Sequence, residues 1–388
     1  MLWFTVLILW ICFIPFNKGD KGFFYRLTTQ LLPLFTYEQE YGVAQIDYAA
    51  DYQVPDWFYE DEGVTMEGNA MADTEGDELA SNQNAANDAL NQSMEDCEGR
   101  KEKGKITTLA DGTNGTKYTR EQLQNKDFLL SKIFVVDSNT SMTDEELNIS
   151  NLLDKDLSVK GLKDWNGGEN DNEKKEGKKD CKILIYHTHA SESFADSEAG
   201  KQEDTIVGVG SYLTEILENE YGIPVYHDTT AYDVIDGVLD RNEAYQNAYH
   251  SVSKILEENP SIEVVIDLHR DGVNEDVHLV TDINGKKTAK VMFLNGVSRS
   301  NMNGEIEYLR NPNKLDNLAF SFQMYLTGKE HYGDYVRKIY VKSLRFNLHL
   351  MPRAALIEVG AQNNTLEEEK NAMEPLAAIL NQVLSDEE

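Results

Sequence analysis

Cysteine is scarce in this chain: 388 residues contain three, Cys12, Cys97 and Cys181. Cys12 sits in an apolar N-terminal run and Cys97 in an acidic stretch, so neither a disulfide framework nor a paired-cysteine zinc motif can be drawn. Positive charge is also short, with 36 Lys and Arg against 68 Asp and Glu and a formal net charge of −32. Nucleic-acid phosphates would repel such a chain, which excludes nucleic acid as a partner. The same charge disfavours docking on anionic lipid through a basic patch. There is no glycine-rich phosphate loop and no internal repeat. The apolar run Leu2 to Phe16 has no basic residue before it, so the n-region of a standard secretory signal is missing. It is also shorter than the roughly 20 apolar residues that a spanning helix uses.

A hydrophobic fraction of 40% is ample for a real core, in one large domain or two smaller ones. No small-residue cleavage pattern follows Phe16, so residues 1–17 are expected to be an uncleaved membrane anchor, with a true start upstream of Met1 as one explanation of its shortness. Lys18, Lys21 and Arg26 behind the run argue, taken alone, for the opposite orientation. Asp56 to Glu98 is rich in Asp, Glu, Asn, Ala and Gly and nearly lacks branched aliphatics, the composition of a solvated spacer. Residues 18–124 are therefore read as a juxtamembrane segment and acidic linker. Residues 125–388 are read as the catalytic domain, with its core at 181–388.

Within that domain the periodicity alternates. Ile133 to Val136, Ile183 to Tyr186, Ile223 to Tyr226, Val264 to Leu268 and Ala354 to Ile357 are short β-rich runs, apolar on both faces as in a parallel sheet. Thr143 with Glu146 predicts a capped helix to Leu153. Helical spacing follows Ile206, and helices are expected at 245–257, 318–326, 335–346 and 366–384. His278 to Val280 and Lys290 to Leu294, joined across Asn284-Gly285, predict a hairpin with a type I′ turn. Alternating strands and helices predict an α/β fold, a mainly parallel sheet flanked by helices.

Three of these strands end in residues that hold or use a metal: His187-Thr188-His189, His269 and Glu358. Sites in open α/β sheets form at the carboxyl ends of strands. Two imidazoles and a carboxylate meeting there is how a catalytic zinc is usually held, with one position open to water. His189 and His269 are the expected ligands. His187 shares a face with His189 in an extended segment and is a supporting group or an alternative ligand. For the carboxylate ligand, Glu203 at the start of the helix near Ile206 is favoured, and Glu192 is the alternative. Glu358 is expected to move a proton between water and a leaving amine. Arg270 is expected to orient substrate or stabilise an oxyanion, with a surface ion pair to Asp271 as the other reading. These features point to a metallohydrolase.

Four segments in order, Ile183 to Phe194, Glu203 to Gly210, Val264 to Gly272 and Leu356 to Thr365, together with the stretch Phe128 to Val159, resemble the bacterial stage II sporulation protein P family. The resemblance implies an amidase-like fold, a distant branch of the zinc N-acetylmuramoyl-L-alanine amidases, whose pattern would fall on His189, Glu203, His269 and Glu358. The chain departs from that pattern in having Tyr186-His187-Thr188-His189 at the first strand. The resemblance further implies Zn2+, peptidoglycan as substrate, amidase and endopeptidase cleavage, and a role in forespore engulfment. It implies anchoring in the mother-cell membrane with the catalytic domain outside the cytoplasm, and stage II sporulation proteins D and M as partners. A non-catalytic wall-binding or scaffolding module is the alternative, and a zinc carboxypeptidase or deacetylase a weaker one.

Overall fold

The computed structural model describes residues 115–162, 180–235 and 237–385. The anchor run and the acidic stretch lie outside the described residues. Among the described residues no helix is long and apolar enough to cross a membrane.

The strands are β1 (Phe134–Val136), β2 (Ile183–Tyr186), β3 (Val225–His227), β4 (Val234–Ile235), β5 (Val238–Leu239), β6 (Val264–Asp271), β7 (Val280–Ile283), β8 (Lys286–Ala289), β9 (Val291–Gly296), β10 (Arg299–Ser300), β11 (Gly304–Glu305), β12 (Ile339–Lys342) and β13 (Arg353–Ala361). The helices used below are α1 (Arg120–Gln124), α2 (Ile149–Leu153), α3 (Ile206–Asn219), α4 (Arg241–Glu258), α5 (Lys314–Tyr332) and α6 (Leu366–Leu384). Seven strands form the main sheet in the order β1-β12-β9-β13-β6-β2-β3. Neighbours are parallel throughout, except that β9 runs antiparallel to β13. The sheet is thus two parallel blocks joined back to back.

Strand alternation sorts the side chains. Ile183, Ile185, Val264, Ile266, Leu268, Ala355, Ile357 and Val359 join one core with Val209 and Leu213 of α3, Phe320 and Met324 of α5, and Leu376 and Leu380 of α6. The intervening residues Asp267, His269 and Glu358 project from the opposite face. There α4 sets the Tyr245 ring edge-on to His189, at 5.6 Å. The β6–β2 and β13–β6 pairings bring the strand ends at Tyr186, His269 and Glu358 to one edge of the sheet.

The folded unit takes in residues before Asn125: Thr119 caps α1, Leu123 is buried in the core, and the Thr116 amide donates to the Lys329 carbonyl at 2.7 Å. Three expectations are corrected. Residues 339–342 form the buried strand β12 where a helix over 335–346 was expected, because the polar positions that mimic a helical stripe, Arg337 and Lys342, are themselves buried. Thr143 and Glu146 make the reciprocal cap but no helix follows directly; Arg299 takes the Glu146 carboxylate, and the chain restarts as α2 behind Asn148. The type I′ turn forms at Asn284 (φ 56°) and Gly285 (φ 81°), but it joins β7 to β8, and Val291 onward is a strand of the main sheet.

Candidate metal centre

The loop leaving β2 is folded by its own polar residues. Thr188 donates through its amide (2.9 Å) and hydroxyl (2.6 Å) to the two oxygens of Asp267, which pins the loop to β6. The Glu192 amide closes a turn on the His189 carbonyl at 3.1 Å, and the Glu192 carbonyl accepts from Ile206 at the start of α3. Ser191 donates through its amide and hydroxyl to Asp233. The result returns the Glu192 side chain over the strand ends.

His189, Glu192 and His269 come together there, all buried, with donor atoms within 4.8 Å of one another. His189 Nδ1 lies 3.6 Å from Glu192 Oε1, and His269 Nδ1 lies 3.6 Å from Glu192 Oε2. Two ligands about 2.0–2.2 Å from a tetrahedral zinc are roughly 3.4 Å apart, so the two 3.6 Å imidazole–carboxylate spacings suit zinc, the full donor set drawing in from within 4.8 Å. Asp267 Oδ1 contacts His269 Nε2 at 2.7 Å, which fixes the ring with Nδ1 facing Glu192. This is the carboxylate–histidine arrangement found behind metal ligands.

The charges agree with a site built for a cation. Burial pushes the His189 pKa down, against the pull of Glu192. Burial would also lower that of His269, but Asp267 and Glu192 outweigh it and hold it well above the usual imidazole value. The Glu192 carboxyl is held well below its ordinary value by the two histidines despite its burial.

Glu358 pairs with His269 in the β13–β6 register, so both side chains leave the same face on adjacent strands. It is 1% exposed. Glu203, the carboxylate favoured from sequence, is exposed on a 3-10 turn ahead of α3, and Glu192, the alternative, stands with the histidines. His187 is buried on the other side of the sheet. Its Nδ1 bonds the Leu268 carbonyl (2.8 Å) and its Nε2 bonds His227 Nε2 (2.9 Å), so it braces β2 against β6. Arg270 directs its guanidinium to the carbonyls of Ser193 (2.8 Å) and Asp271 (3.1 Å), while its amide donates to Glu192 Oε2 (3.0 Å). It ties the loop to β6. The Asp271 carboxylate is taken by the buried Arg337, at 2.8 Å. Sequence reasoning missed Asp267. The signal was an acid two residues before His269 in an otherwise apolar strand, hence on its face.

A family model described as Stage II sporulation protein P matches residues 62–381. The chain belongs to the stage II sporulation protein P family. A curated relative, Stage II sporulation protein P of Bacillus subtilis (strain 168), is 24% identical over 220 residues, 53% of this chain and 52% of the relative. The match thus spans about half the length of that relative. Among solved structures, N-acetylmuramoyl-L-alanine amidase AmiC2 of Nostoc punctiforme is 14% identical, covering 53% of this chain and 96% of that one, with a TM-score of 0.30. The N-acetylmuramoyl-L-alanine amidase from Clostridium difficile 630 is 15% identical over 53% of this chain and 95% of that one, with a TM-score of 0.29.

Proposed function

We propose that this chain is a zinc-dependent peptidoglycan hydrolase of sporulation, cleaving the amide of N-acetylmuramoyl-L-alanine. The observation that carries the reading is the buried His189–Glu192–His269 donor set with Glu358 beside it on the neighbouring strand. Family membership supports the sporulation role. When bound, zinc supplies a Lewis acid for an amide carbonyl and lowers the pKa of a bound water to about 7. His189 and His269 offer their Nδ1 atoms and Glu192 a carboxylate oxygen. Asp267 keeps His269 turned for this task, and Arg270 keeps Glu192 over the strand ends. Glu358 accepts the proton of the attacking water and returns it to the leaving amine nitrogen, which makes it general base and then general acid.

In the wider reading, endopeptidase cleavage of cross-links is a second activity of the same site, and the N-terminal run anchors the enzyme in the mother-cell membrane during engulfment. The catalytic domain then lies outside the cytoplasm, the acidic linker gives it reach to the wall, and stage II sporulation proteins D and M are its partners. The test pairs zinc analysis with mass spectrometry of wall digested by wild type and Glu358→Ala. Stoichiometric zinc in both proteins is expected, with stem peptides released only by wild type. Release by Glu358→Ala at the wild-type rate removes Glu358 from the mechanism. A wild-type protein without zinc or release would leave a wall-binding module.

A further inference from the structure

The strand that presents Glu358 is irregular immediately after it. Pairing of β13 with β6 is residue for residue from Arg353↔Val264 to Glu358↔His269 and then jumps to Ala361↔Asp271, so Val359 and Gly360 together face Arg270. The register shift acts as a bulge does, with two residues taking the place of one, a device that re-aims side chains next to active sites. Gly360 adopts φ 50°, and its amide donates to the Lys290 carbonyl at 2.8 Å. A Cβ built on Gly360 would lie 1.9 Å from Glu369 Oε1 and 2.9 Å from Asn364 Oδ1. The Glu369 carboxyl, from the first turns of α6, therefore occupies the space of the missing side chain.

Glu369 is wholly buried, its carboxyl set against the backbone at Gly360 and Ala361. The helix start does not need it: Glu368 already closes the reciprocal cap with Thr365 and binds Asn364. Burying a carboxyl away from water is costly, so its presence here calls for a reason other than stability. Burial, then the neighbouring Glu368, push its pKa well above the carboxylate range. Its planar end can lie flat against the Gly360 backbone, where a branched aliphatic of similar size cannot.

We propose that Glu369 is a positioning residue for Glu358: its flat carboxyl group, packed where Gly360 lacks a side chain, sets the bulge that aims Glu358 at the His189–Glu192–His269 cluster. The proposal rests on the reading of Glu358 as the proton carrier.

The test is a variant series on the full chain, loaded with zinc, measuring stem-peptide release from purified wall, zinc content and Tm. Glu369→Gln keeps the planar end and its size and should hold kcat near wild type. Glu369→Leu should lower kcat by between about 10- and 100-fold with KM and zinc content unchanged, the cost of a misplaced group about 1 Å off. Gly360→Ala should fall similarly, and combining it with Glu369→Ala should recover part of the loss, because the deleted carboxyl makes room for the new methyl. Glu369→Leu with wild-type kcat overturns the proposal, as does strict additivity of the double variant. If Glu369→Leu or Gly360→Ala does not fold, a Glu369→Gln variant with severely reduced kcat overturns it equally. Wild type that binds zinc but releases no stem peptide instead refutes the proposed function, and the positioning role falls with it.

Discussion

Replacing Asp267 separates orientation of a metal ligand from packing. Asp267 is 1% exposed, accepts from the Thr188 amide at 2.9 Å and its hydroxyl at 2.6 Å, and touches His269 Nε2 at 2.7 Å. In Asp267→Asn the side chain keeps its shape and one acceptor but loses its charge. Loss of such a partner typically lowers metal affinity 10–100-fold, equivalent to about 1.4–2.8 kcal/mol. In Asp267→Ala both Thr188 donors lose their acceptor inside the protein. Each buried unsatisfied donor costs about 1–3 kcal/mol, so this variant should also melt lower, which Asp267→Asn should do less. Zinc affinity is read by titration against a chelator of known affinity, and stability by Tm of the metal-free proteins. Wild-type zinc affinity in Asp267→Ala would refute the claim that this carboxylate prepares His269 for the ion.

Glu192→Ala should abolish stoichiometric zinc, whereas the exposed Glu203→Ala should keep both zinc and wall digestion; metal analysis of the two variants decides between the carboxylates. Gly210→Ala would set a Cβ 2.6 Å from the His187 ring and 2.9 Å from His227 Nε2. Both rings are held by hydrogen bonds, so overpacking of about 1–3 kcal/mol should appear as a lowered Tm, and an unchanged Tm would mean the rings can yield. Burial opposes ionisation of Glu146, but Arg299, the Thr143 amide and Lys314 prevail and its pKa is depressed. The stability it contributes is therefore complete above the ordinary glutamate pKa of about 4.3 and disappears as pH falls through the lower folded value. The Tm of wild type should drop more steeply on acidification below pH about 5 than that of Glu146→Gln; parallel curves would sink the assignment.

The runs Ile183 to Tyr186, Val264 to Leu268 and Ala354 to Ile357 were legible because each is apolar on both faces, and their order carried the idea that their ends meet. β12 was not legible. Arg337 and Lys342 are buried charges, and charge in a sequence signals solvent until the partner is known; for Arg337 that partner is Asp271, 66 residues away. β9 was merged into a hairpin because Asn284-Gly285 marks the turn but not where pairing with the turn's other arm gives way to the main sheet. The identity of the carboxylate in the cluster depends on loop closure. Glu192 reaches the histidines because Ile206 and Asp267 hold the loop from both sides, contacts between residues that sequence order does not associate. Glu203 looked suitable because it precedes a helix, but it lies on a separate 3-10 turn and is exposed.

Because β9 opposes β13, the sheet has two sets of carboxyl ends, facing opposite ways. One set bears the histidines. The other, where β1, β9 and β12 finish, carries a network of ion pairs: Arg299 grips Glu146 at 2.6 and 2.9 Å and Glu305 at 2.7 Å, Lys314 approaches Glu146 at 3.1 Å, and Thr140 bonds the Arg299 carbonyl. A molecule approaching these ion pairs would have to compete with charges that already hold one another. The architecture has two such poles, and this one spends its charges on each other.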